Sequence, residues 1–288
     1  MTKPFHLRLP ATSANLGPGF DALGLAMALF LDIEATPAAE THIDATGRNS
    51  DLVASLKRNL ILDTYRSLAP QAPALYLKIH NEIPLGMGCG SSAAALLAGV
   101  HLANHFGELN LTPHQVLVEA CVREGHPDNV AACFHGGLTV SSMQGREVAT
   151  ATFGHDLPWR LLLALPSASL ATSEARALLP DLYSRADAVQ NIQATALLVA
   201  AFAQCRPELL AVATRDRLHQ PFRSTACPLL PSLLPLAGKD GIYSVTLSGA
   251  GPSVLMITNP LTPLDPLITR LRKAVVDSEL EVVETMIT

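Results

Sequence analysis

Apolar and polar residues alternate along several short stretches of the chain, and this alternation predicts β-strands. It is strictest in ALYLKIH (74–80), where Leu75, Leu77 and Ile79 share one face, as the two-residue period of a half-buried strand requires. The continuous apolar run ALGLAMALFLDIEA (22–35) predicts a buried strand in its later part, although a short helix would show the same pattern. Further strands are predicted over 5–9, 138–143, 243–247 and 253–258, and near 159–166 and 280–287.

Other segments place apolar residues at helical spacing. TPHQVLVEACVREG (112–125) begins as helices commonly do, with Thr112 as N-cap and Pro113 at the first helical position. Because helices are mixed with strands that neighbour each other in sequence, the pattern favours an α+β fold over a doubly wound sheet. The polar, glycine-containing segment 144–158 is the best candidate for a boundary between two domains. Further helices are predicted over 51–69 and about 91–105, and near 173–180, 187–205, 207–219 and 262–276.

The composition is that of a globular protein with a well-supplied core. Of 288 residues, 49% are hydrophobic and 16% are charged, so disorder is not expected. The formal net charge of −5 argues against nucleic acid as a partner, and the apolar stretches are interrupted too early for the ~20 residues of a membrane span. The N-terminus lacks the apolar stretch of a signal peptide, and five scattered cysteines without a CxxC pair favour free thiols. We therefore expect a cytoplasmic protein.

A glycine-rich loop precedes one of the predicted helices, in IPLGMGCGSSAAALLAG (83–99). Its alternating glycines allow positive φ and a close approach to a ligand, and the free N–H groups of the following helix favour a phosphate. Ser91 and Ser92 add hydroxyls for a phosphate oxygen or Mg²⁺. By itself the pattern also fits a plain turn in which Ser91 caps a core helix. The spacing is neither that of a Walker A motif nor that of a Rossmann fingerprint.

Two further motifs indicate the function of this loop. PLGMGCGSSAAA resembles the phosphate-binding motif of the GHMP kinases (galacto-, homoserine, mevalonate and phosphomevalonate kinases), with Cys89 where leucine is usual. LSGAGPSVL (247–255) resembles the C-terminal glycine motif of that family, and PATSANLGPGFDALGLA (10–26) resembles its N-terminal motif. Three motifs in family order over nearly the whole chain make a coincidence implausible.

The resemblance implies a two-domain fold and a nucleotide. The expected fold is an N-terminal ribosomal-S5-like α/β domain with a left-handed βαβ unit over 1–150, the nucleotide-binding domain, followed by a C-terminal ferredoxin-like domain over 151–288. The expected cofactors are ATP and Mg²⁺. The residues that the family motifs assign to ATP are Asn59, Pro84, Gly86, Gly88, Cys89, Gly90, Ser91 and Ser92.

Four details point to one branch of the family, the homoserine kinases. The N-terminal form SANLGPGFD is typical of that branch, and so are EGHPDNVA (124–131), TSEARALLP (172–180) and HQPFR (219–223), in which Gln220 replaces glutamate. This likeness implies ATP-dependent phosphorylation of L-homoserine to O-phospho-L-homoserine in threonine biosynthesis. Its motif positions imply a substrate site of Asn15, Asp21, His126, Asp128, Asn129, Arg176, Arg223 and Gly249.

The residue types in this set suit a small zwitterion with a terminal hydroxyl. Arginines bind carboxylates through two parallel hydrogen bonds, so Arg176 and Arg223 are the expected carboxylate clamp. Asp21 and Asp128 are the candidates for the ammonium group. The remaining polar members, Asn15, His126 and Asn129, are candidates for orienting the hydroxyl.

The metal and the chemistry are expected at the start of the loop helix. Ser92 and a carboxylate are the expected Mg²⁺ ligands, with Thr172 nearby. An ungapped comparison with the family favours Glu119 as that carboxylate, and a comparison with a shorter loop favours Glu124. The expected catalytic residues are Asn129, Ser92 and Glu119. Other family members have aspartate at the position of Asn129, and an amide cannot act as a base, so we expect direct in-line attack without a strong side-chain base.

Two alternative functions remain open on the sequence alone. One is another small-molecule kinase of the same family, acting on mevalonate, shikimate or a sugar, because a fold does not fix a substrate. The other is a non-catalytic sensor that keeps the fold. The expected partners are L-homoserine and ATP, with neither nucleic acid nor membrane, and a homodimer is an open alternative to a monomer.

Overall fold

A computed structural model describes residues 3–288, apart from the side chain of Thr172. The strands are β1 Phe5–Asn15, β2 Gly19–Ala38, β3 His42–Gly47, β4 Ala74–Asn81, β5 Leu138–Gln144, β6 Glu147–Phe153, β7 Arg160–Leu165, β8 Ile242–Leu247, β9 Val254–Thr258 and β10 Glu281–Met286. The α-helices are α1 Ser50–Val53, α2 Leu60–Leu68, α3 Ser91–Phe106, α4 Pro113–Glu124, α5 Asp128–His135, α6 Thr172–Ala177, α7 Arg185–Ala203, α8 Leu210–Ala213, α9 Gln220–Arg223, α10 Leu229–Leu233 and α11 Leu264–Ala274. Short 3₁₀ turns cover Pro207–Leu209 and Leu234–Leu236.

The first sheet is built around the 20-residue strand β2. Its order is β3-β4-β2-β5-β6, with β1 also paired to β2, and only the β3–β4 pair is parallel. Side chains of β4 alternate between buried and less buried positions, as expected for a sheet with one face on the core. Helix α3 is apolar on most of its surface and buries nine of its residues.

The second sheet has the order β10-β7-β9-β8, and all its pairs are antiparallel. Helices α6 to α10 lie between β7 and β8 in sequence, and α11 lies between β9 and β10. This connection pattern is the βαββαβ arrangement of ferredoxin-like sheets. The α+β fold class predicted from the sequence is therefore confirmed, and the predicted strand within 22–35 is correct.

Two predicted helices are corrected by the structure. The helix predicted over 51–69 is interrupted, because the Asn59 side chain accepts hydrogen bonds from the backbone of Ile61 and Leu62 and starts α2 anew. The segment 207–219 forms a 3₁₀ turn and one short helix rather than a single helix. The segment 144–158, the candidate boundary, contains all of β6. The elements β3, β6, α5, α9 and α10 were not predicted from the sequence.

One hydrophobic core runs through both halves of the chain. It joins Leu25 and Leu97 of the first half to Trp159, Leu161 and Phe202 of the second. A smaller core lies between the second sheet and α10 and α11. A division of the chain into domains at 150 and 151 stays a prediction. Among the described residues, no helix is both long and apolar enough to cross a membrane.

Candidate active site

The glycine-rich loop lies where the three sequence motifs meet. Gly86, Gly88 and Gly90 have φ of 70°, 74° and 71°, a region that residues with a Cβ rarely adopt. A Cβ at Gly88 would overlap the backbone oxygen of Ser248, and one at Gly90 would overlap the hydroxyl of Thr12. Glycine is required at these two positions by close packing as well as by φ. Gly90 is the N-cap of α3, so the free N–H groups of that helix begin directly after the loop.

Hydrogen bonds join the loop to the N-terminal and C-terminal motifs. The Ser248 hydroxyl donates to the Gly88 carbonyl at 2.8 Å, and the Asn15 side-chain nitrogen donates to the Gly249 carbonyl at 2.9 Å. The backbone N–H of Thr12 donates to the Cys89 carbonyl at 3.0 Å. These contacts enclose a cleft with an empty volume of about 710 Å³.

Most residues predicted for the site line this one cleft. They are Asn15, Asp21, Gly86, Gly88, Cys89, Gly90, Ser91, Ser92, Glu124, His126, Asp128, Asn129, Arg176, Arg223 and Gly249. The cleft is also lined by Ala14, Phe20, Leu170, Ala171 and Ala250, which the sequence analysis did not single out. Phe20 stands beside Asp21 in the N-terminal motif, and that adjacency was the available signal for it.

Two predicted ATP-binding residues do not line the cleft. The Asn59 side chain accepts from the backbone N–H groups of Ile61 and Leu62 and donates to the carbonyls of Val53 and Ser55, so it caps α2. Pro84 is buried in the approach to the loop. Cys89, in contrast, is 1% exposed at the cleft wall, and burial raises the pKa of its thiol to about 12. It therefore packs as a small neutral side chain.

The two candidate metal-binding carboxylates, Glu119 and Glu124, lie in different surroundings. Glu124 lines the cleft, and one of its oxygens accepts from the Ser92 hydroxyl at 2.8 Å. Glu119 instead forms ion pairs with Arg123 and Arg146, each at 3.0 Å. The structure therefore places Glu124, and not Glu119, beside Ser92, because five residues along α4 turn the Glu119 side chain to another face of the helix. Which of the two binds a metal stays a prediction. Thr172, the other predicted ligand, has a side chain outside the described residues.

Ser92 and Glu124 have the chemistry that Mg²⁺ requires. Both offer oxygen ligands, which this hard cation prefers. Ser92 lies in the first turn of α3, the helix that follows the glycine loop, and Glu124 is the last residue of α4. Burial raises the pKa of Glu124, while the hydrogen bond from Ser92 and the nearby His126 lower it to a smaller extent. A cation beside this half-buried carboxylate would stabilise its charged form. The pair therefore fits a magnesium site.

A second polar group follows α4, where the chain turns into α5. His126 Nδ1 lies 2.6 Å from Asp128 Oδ1, and that oxygen also accepts the backbone N–H of Asn129 at 2.7 Å. Burial lowers the pKa of His126, but the hydrogen bond to Asp128 and the charges of Asp128, Asp21 and Glu124 raise it more, so the net shift is upward. The raised pKa favours the imidazolium form of His126, which pairs with the buried carboxylate of Asp128.

Asn129 is fixed by the N-terminal motif. The Thr12 hydroxyl donates to Asn129 Oδ1 at 2.8 Å, and Thr12 is itself fully buried. The bond joins β1 to the first turn of α5. It therefore holds the amide at the cleft wall near Gly90, which packs against the same Thr12 hydroxyl.

The two arginines both lie close to one aromatic ring. Arg176 donates two hydrogen bonds to Asp21, at 2.8 and 3.0 Å. These bonds raise the pKa of the Arg176 guanidinium. Its guanidinium carbon is 5.4 Å from the centre of the Phe20 ring, and that of Arg223 is 5.5 Å from the same centre. Both distances fit cation–π contacts.

Arg223 is the buried arginine of this pair. It is 1% exposed, and its Nε donates to the Ala175 carbonyl at 3.1 Å. Burial lowers its pKa, and the neighbouring charge of Arg176 lowers it further. Among the described residues, no carboxylate lies within 4.0 Å of Arg223, although Arg176 has such a partner. A buried cation without a counter-ion is costly, so the cleft is electrostatically complementary to a carboxylate.

Acidic and imidazole groups also approach each other at the centre of the cleft. Oxygen or nitrogen atoms of Asp21, His126 and Asp128 lie within 4.8 Å of one another. Two of these groups already form an ion pair, and the third is paired with Arg176. The two carboxylates of this cluster each have a basic partner, and their negative charges also suit an ammonium group.

Sequence comparisons identify related proteins. Residues 59–137 match the family model of the GHMP kinases N terminal domain. A homoserine kinase from Solibacter usitatus is 45% identical over 258 residues, which cover 88% of this chain and 84% of the relative. A homoserine kinase from Bacillus cereus is 37% identical over 255 residues, covering 88% of this chain and 85% of the relative.

Solved structures share the fold over the whole chain. The structure of a homoserine kinase from Cytophaga hutchinsonii aligns with a TM-score of 0.79 at 22% identity, covering 100% of this chain and 96% of that one. The mevalonate kinase of Methanococcus jannaschii aligns with a TM-score of 0.71 at 13% identity, covering 99% of each chain. At these identities the two structures establish the fold alone.

Proposed function

The chain belongs to the homoserine kinase family of the GHMP kinases, and from this membership we propose that it phosphorylates L-homoserine. The γ-phosphoryl group of ATP is transferred to the terminal hydroxyl, which gives O-phospho-L-homoserine and ADP. The reaction takes place in the cytoplasm as a step of threonine biosynthesis. The observation that carries the proposal is the buried Arg223, which faces the cleft without a carboxylate among the described residues.

The residues at the substrate end of the cleft support an amino acid as the substrate. Arg223 and Arg176 receive the α-carboxylate, and a guanidinium–carboxylate contact is among the strongest polar interactions available. Asp21 and Asp128 receive the α-ammonium group. Asp21 is already paired with Arg176 at 2.8 Å, so a zwitterion provides each member of that ion pair with a partner of opposite charge. Asn15 and Gly249 close this end of the cleft.

The residues at the other end of the cleft support ATP as the phosphoryl donor. The positive-φ glycines bring backbone N–H groups close to the phosphates, and the N-terminus of α3 adds a favourable dipole. Ser92 and Glu124 would hold Mg²⁺. When bound, this ion neutralises charge on the phosphate oxygens.

The hydroxyl of the substrate is oriented rather than deprotonated by the protein. The two carboxylates near the substrate are committed, Asp21 to Arg176 and Asp128 to His126, and the neighbouring Asn129 has no basic atom. Phosphoryl transfer passes through a loose transition state, so positioning and charge neutralisation supply most of the catalysis. The proton leaves through the phosphate or solvent. A pH–rate profile with an essential base that one carboxylate substitution removes would contradict this step.

The function is tested by ADP release with Mg-ATP against homoserine, mevalonate, shikimate, serine and galactose. Turnover restricted to homoserine supports the proposal. Turnover with mevalonate, shikimate or galactose, none of which is an amino acid, keeps the kinase activity but refutes the assignment of Arg176 and Arg223 to an α-carboxylate. Turnover with serine in place of homoserine keeps that assignment and refutes only the identity of the amino acid. ATP binding without any turnover would favour a sensor.

A further inference from the structure

We propose that His219 is the residue that positions Arg223, acting as a neutral hydrogen-bond acceptor. This inference rests on the proposed function only in the identity of the carboxylate that Arg223 receives. His219 does not line the cleft; it lies behind Arg223, and its ring is fully buried. It is a positioning residue for substrate binding rather than a group that touches the substrate.

The two ring nitrogens of His219 have partners of opposite kind. Nε2 is 2.7 Å from the carbonyl oxygen of Gly17, and a carbonyl can only accept, so Nε2 carries the proton. Nδ1 is 3.1 Å from Nη1 of Arg223, and a guanidinium can only donate, so Nδ1 is unprotonated. Only the neutral ring with its proton on Nε2 satisfies both bonds. Protonation of Nδ1 would set two N–H groups against each other.

The electrostatic surroundings agree with a neutral ring. Burial lowers the pKa of His219, and the charge of Arg223 lowers it as well, against opposing effects of Asp216, the Gly17 hydrogen bond and Asp21. The Asp216 carboxylate lies 3.5 Å from Nε2. Its oxygens mainly accept backbone N–H groups of residues 218–220, at 2.6 to 2.9 Å, which satisfies them without a proton from the ring.

Arg223 needs such a support because its own helix is short. Helix α9 has four residues, too few to hold a side chain by helical structure alone. Apart from His219, the guanidinium contacts two backbone carbonyls, Ala175 at 3.1 Å and Gly249 at a long 3.5 Å. The bond to His219 therefore fixes the rotation of the guanidinium plane, which decides whether two N–H groups can face one carboxylate.

His219 also connects the arginine to the N-terminal motif. Its bond to Gly17 joins α9 to the loop between β1 and β2, and its ring lies 5.4 Å from that of Phe20. Phe20 in turn faces both arginines. A displacement of His219 would therefore move the carboxylate-binding groups and leave the glycine loop in place.

Three variants separate the two hydrogen bonds of the ring. His219→Asn places an amide oxygen near the position of Nδ1 and keeps an acceptor for Arg223. His219→Gln places an amide near the position of Nε2 and keeps a donor for Gly17 only. His219→Leu removes both. We expect the KM for homoserine to stay within about threefold in the asparagine variant and to rise by roughly tenfold to a hundredfold in the other two, while the KM for ATP stays within about threefold in all three.

A substrate fragment makes the test specific for the carboxylate. 3-Aminopropan-1-ol has the hydroxyl and ammonium groups of homoserine but lacks the carboxylate. Its inhibition constant against homoserine should be the same in the wild type and in all three variants. Equal losses for homoserine, ATP and this fragment would show a purely structural role and overturn the proposal, as would an asparagine variant that behaves like the leucine variant.

The protonation state is measured on the unaltered protein without substrate. Nitrogen-15 NMR of the histidine rings, with the His219 ring signals assigned by through-bond correlation to the backbone of that residue, should show a protonated Nε2 and an unprotonated Nδ1 at neutral pH. A protonated Nδ1 overturns the proposal even if every variant fails to fold. If the wild type does not phosphorylate homoserine, the proposed function fails, and this NMR result still decides the state of His219.

Discussion

The charged side chains of the cleft differ in whether another residue of the protein neutralises their charge. Asp128 has His126, and Asp21 has Arg176, while Arg223 has no carboxylate among the described residues. Each of these two carboxylates therefore has a basic partner at hydrogen-bond distance even without a ligand. The unpaired arginine makes the empty cleft less stable than the filled one, so ligand binding and folding stability should be linked.

The two glutamates of α4 provide a matched test of the metal assignment. Glu124→Gln should lower kcat by at least about a hundredfold, because it removes a charged ligand from a site that neutralises phosphate charge. It should also raise the Mg²⁺ concentration needed for half-maximal activity. Glu119→Gln, which breaks ion pairs with Arg123 and Arg146, should leave both quantities within about twofold, since such surface pairs add little to a distant site. Steady-state assays over a Mg²⁺ series decide between them, and the reverse order of effects would restore Glu119 as the ligand.

The raised pKa of His126 makes part of the stability depend on pH. The folded state holds the proton more tightly than the unfolded state, so it binds more protons between the two pKa values, and stability falls as pH rises there. The contribution is complete below the unfolded value of about 6.5 and disappears as pH passes through the higher folded value. Urea unfolding of the wild type and His126→Gln between pH 6 and 9 should show a difference that shrinks with rising pH. A difference that grows with pH would mean that burial outweighs the Asp128 pair.

At the scale of elements, the cleft depends on loops that are fixed by contacts between distant segments. The glycine loop contacts β1 through Thr12 and the β8–β9 loop through Ser248. The N-terminal motif is held at positive φ at Asn15 and Asp21, with φ of 69° and 55°, and the Asn15 side chain accepts the Asp21 N–H at 3.0 Å. Strained backbone of this kind persists only where surrounding contacts enforce it.

Two glycines of the same loop separate backbone strain from packing. Both Gly86 and Gly90 have positive φ, but a Cβ at Gly86 meets only Ser169 at 3.6 Å, whereas one at Gly90 displaces the Thr12 hydroxyl from Asn129. Gly86→Ala should cost about 1–2 kcal/mol of unfolding free energy from φ alone. Gly90→Ala should cost about 1–3 kcal/mol more, since it also breaks a buried hydrogen bond. Urea unfolding and ATP titration measure both, and equal losses in the two variants would show that packing at Gly90 contributes nothing.

Elements with strong local signals were predictable, and elements defined by distant contacts were not. Helix α4 was predicted from Thr112 and Pro113, and the structure shows a capping box between Thr112 and Gln115. Strand β4 followed from its alternation. In contrast, β3 carries a mixed pattern and is a strand because it pairs with β4. The sequence alone could not decide between Glu119 and Glu124, because the decision depends on how α4 is rotated about its axis relative to the glycine loop.

The same limit applied to the support of the substrate site. The motif HQPFR identified Arg223, but nothing local showed that His219 bonds both to that arginine and to Gly17, 202 positions away in the chain. Motifs indicate which side chains are brought together. The hydrogen bonds that orient them come from tertiary packing, which a pattern along the chain does not contain.

For the whole molecule, the main question is whether the two sheets fold as separate units. The large core contains residues of both halves of the chain, with Trp159, Leu163 of β7 and Phe202 of α7 next to residues of the first sheet. Ile287 also forms a bridge with Met27 of β2. Neither half of the chain therefore encloses its own apolar surface completely, although the motifs place the predicted boundary at 150.

We accordingly expect the full chain to unfold in a single cooperative transition. Trp159 is the only tryptophan of the sequence and is 3% exposed in the shared core, so its fluorescence reports that core. Far-ultraviolet circular dichroism reports the helices, of which the first half contributes α1 to α5. Because the core couples both halves, the two signals should give the same urea midpoint and the same slope, as two-state unfolding requires. Separate midpoints, or a fragment 151–288 that folds alone, would show that the boundary at 150 divides independent units and that the shared core is a weak interface between them.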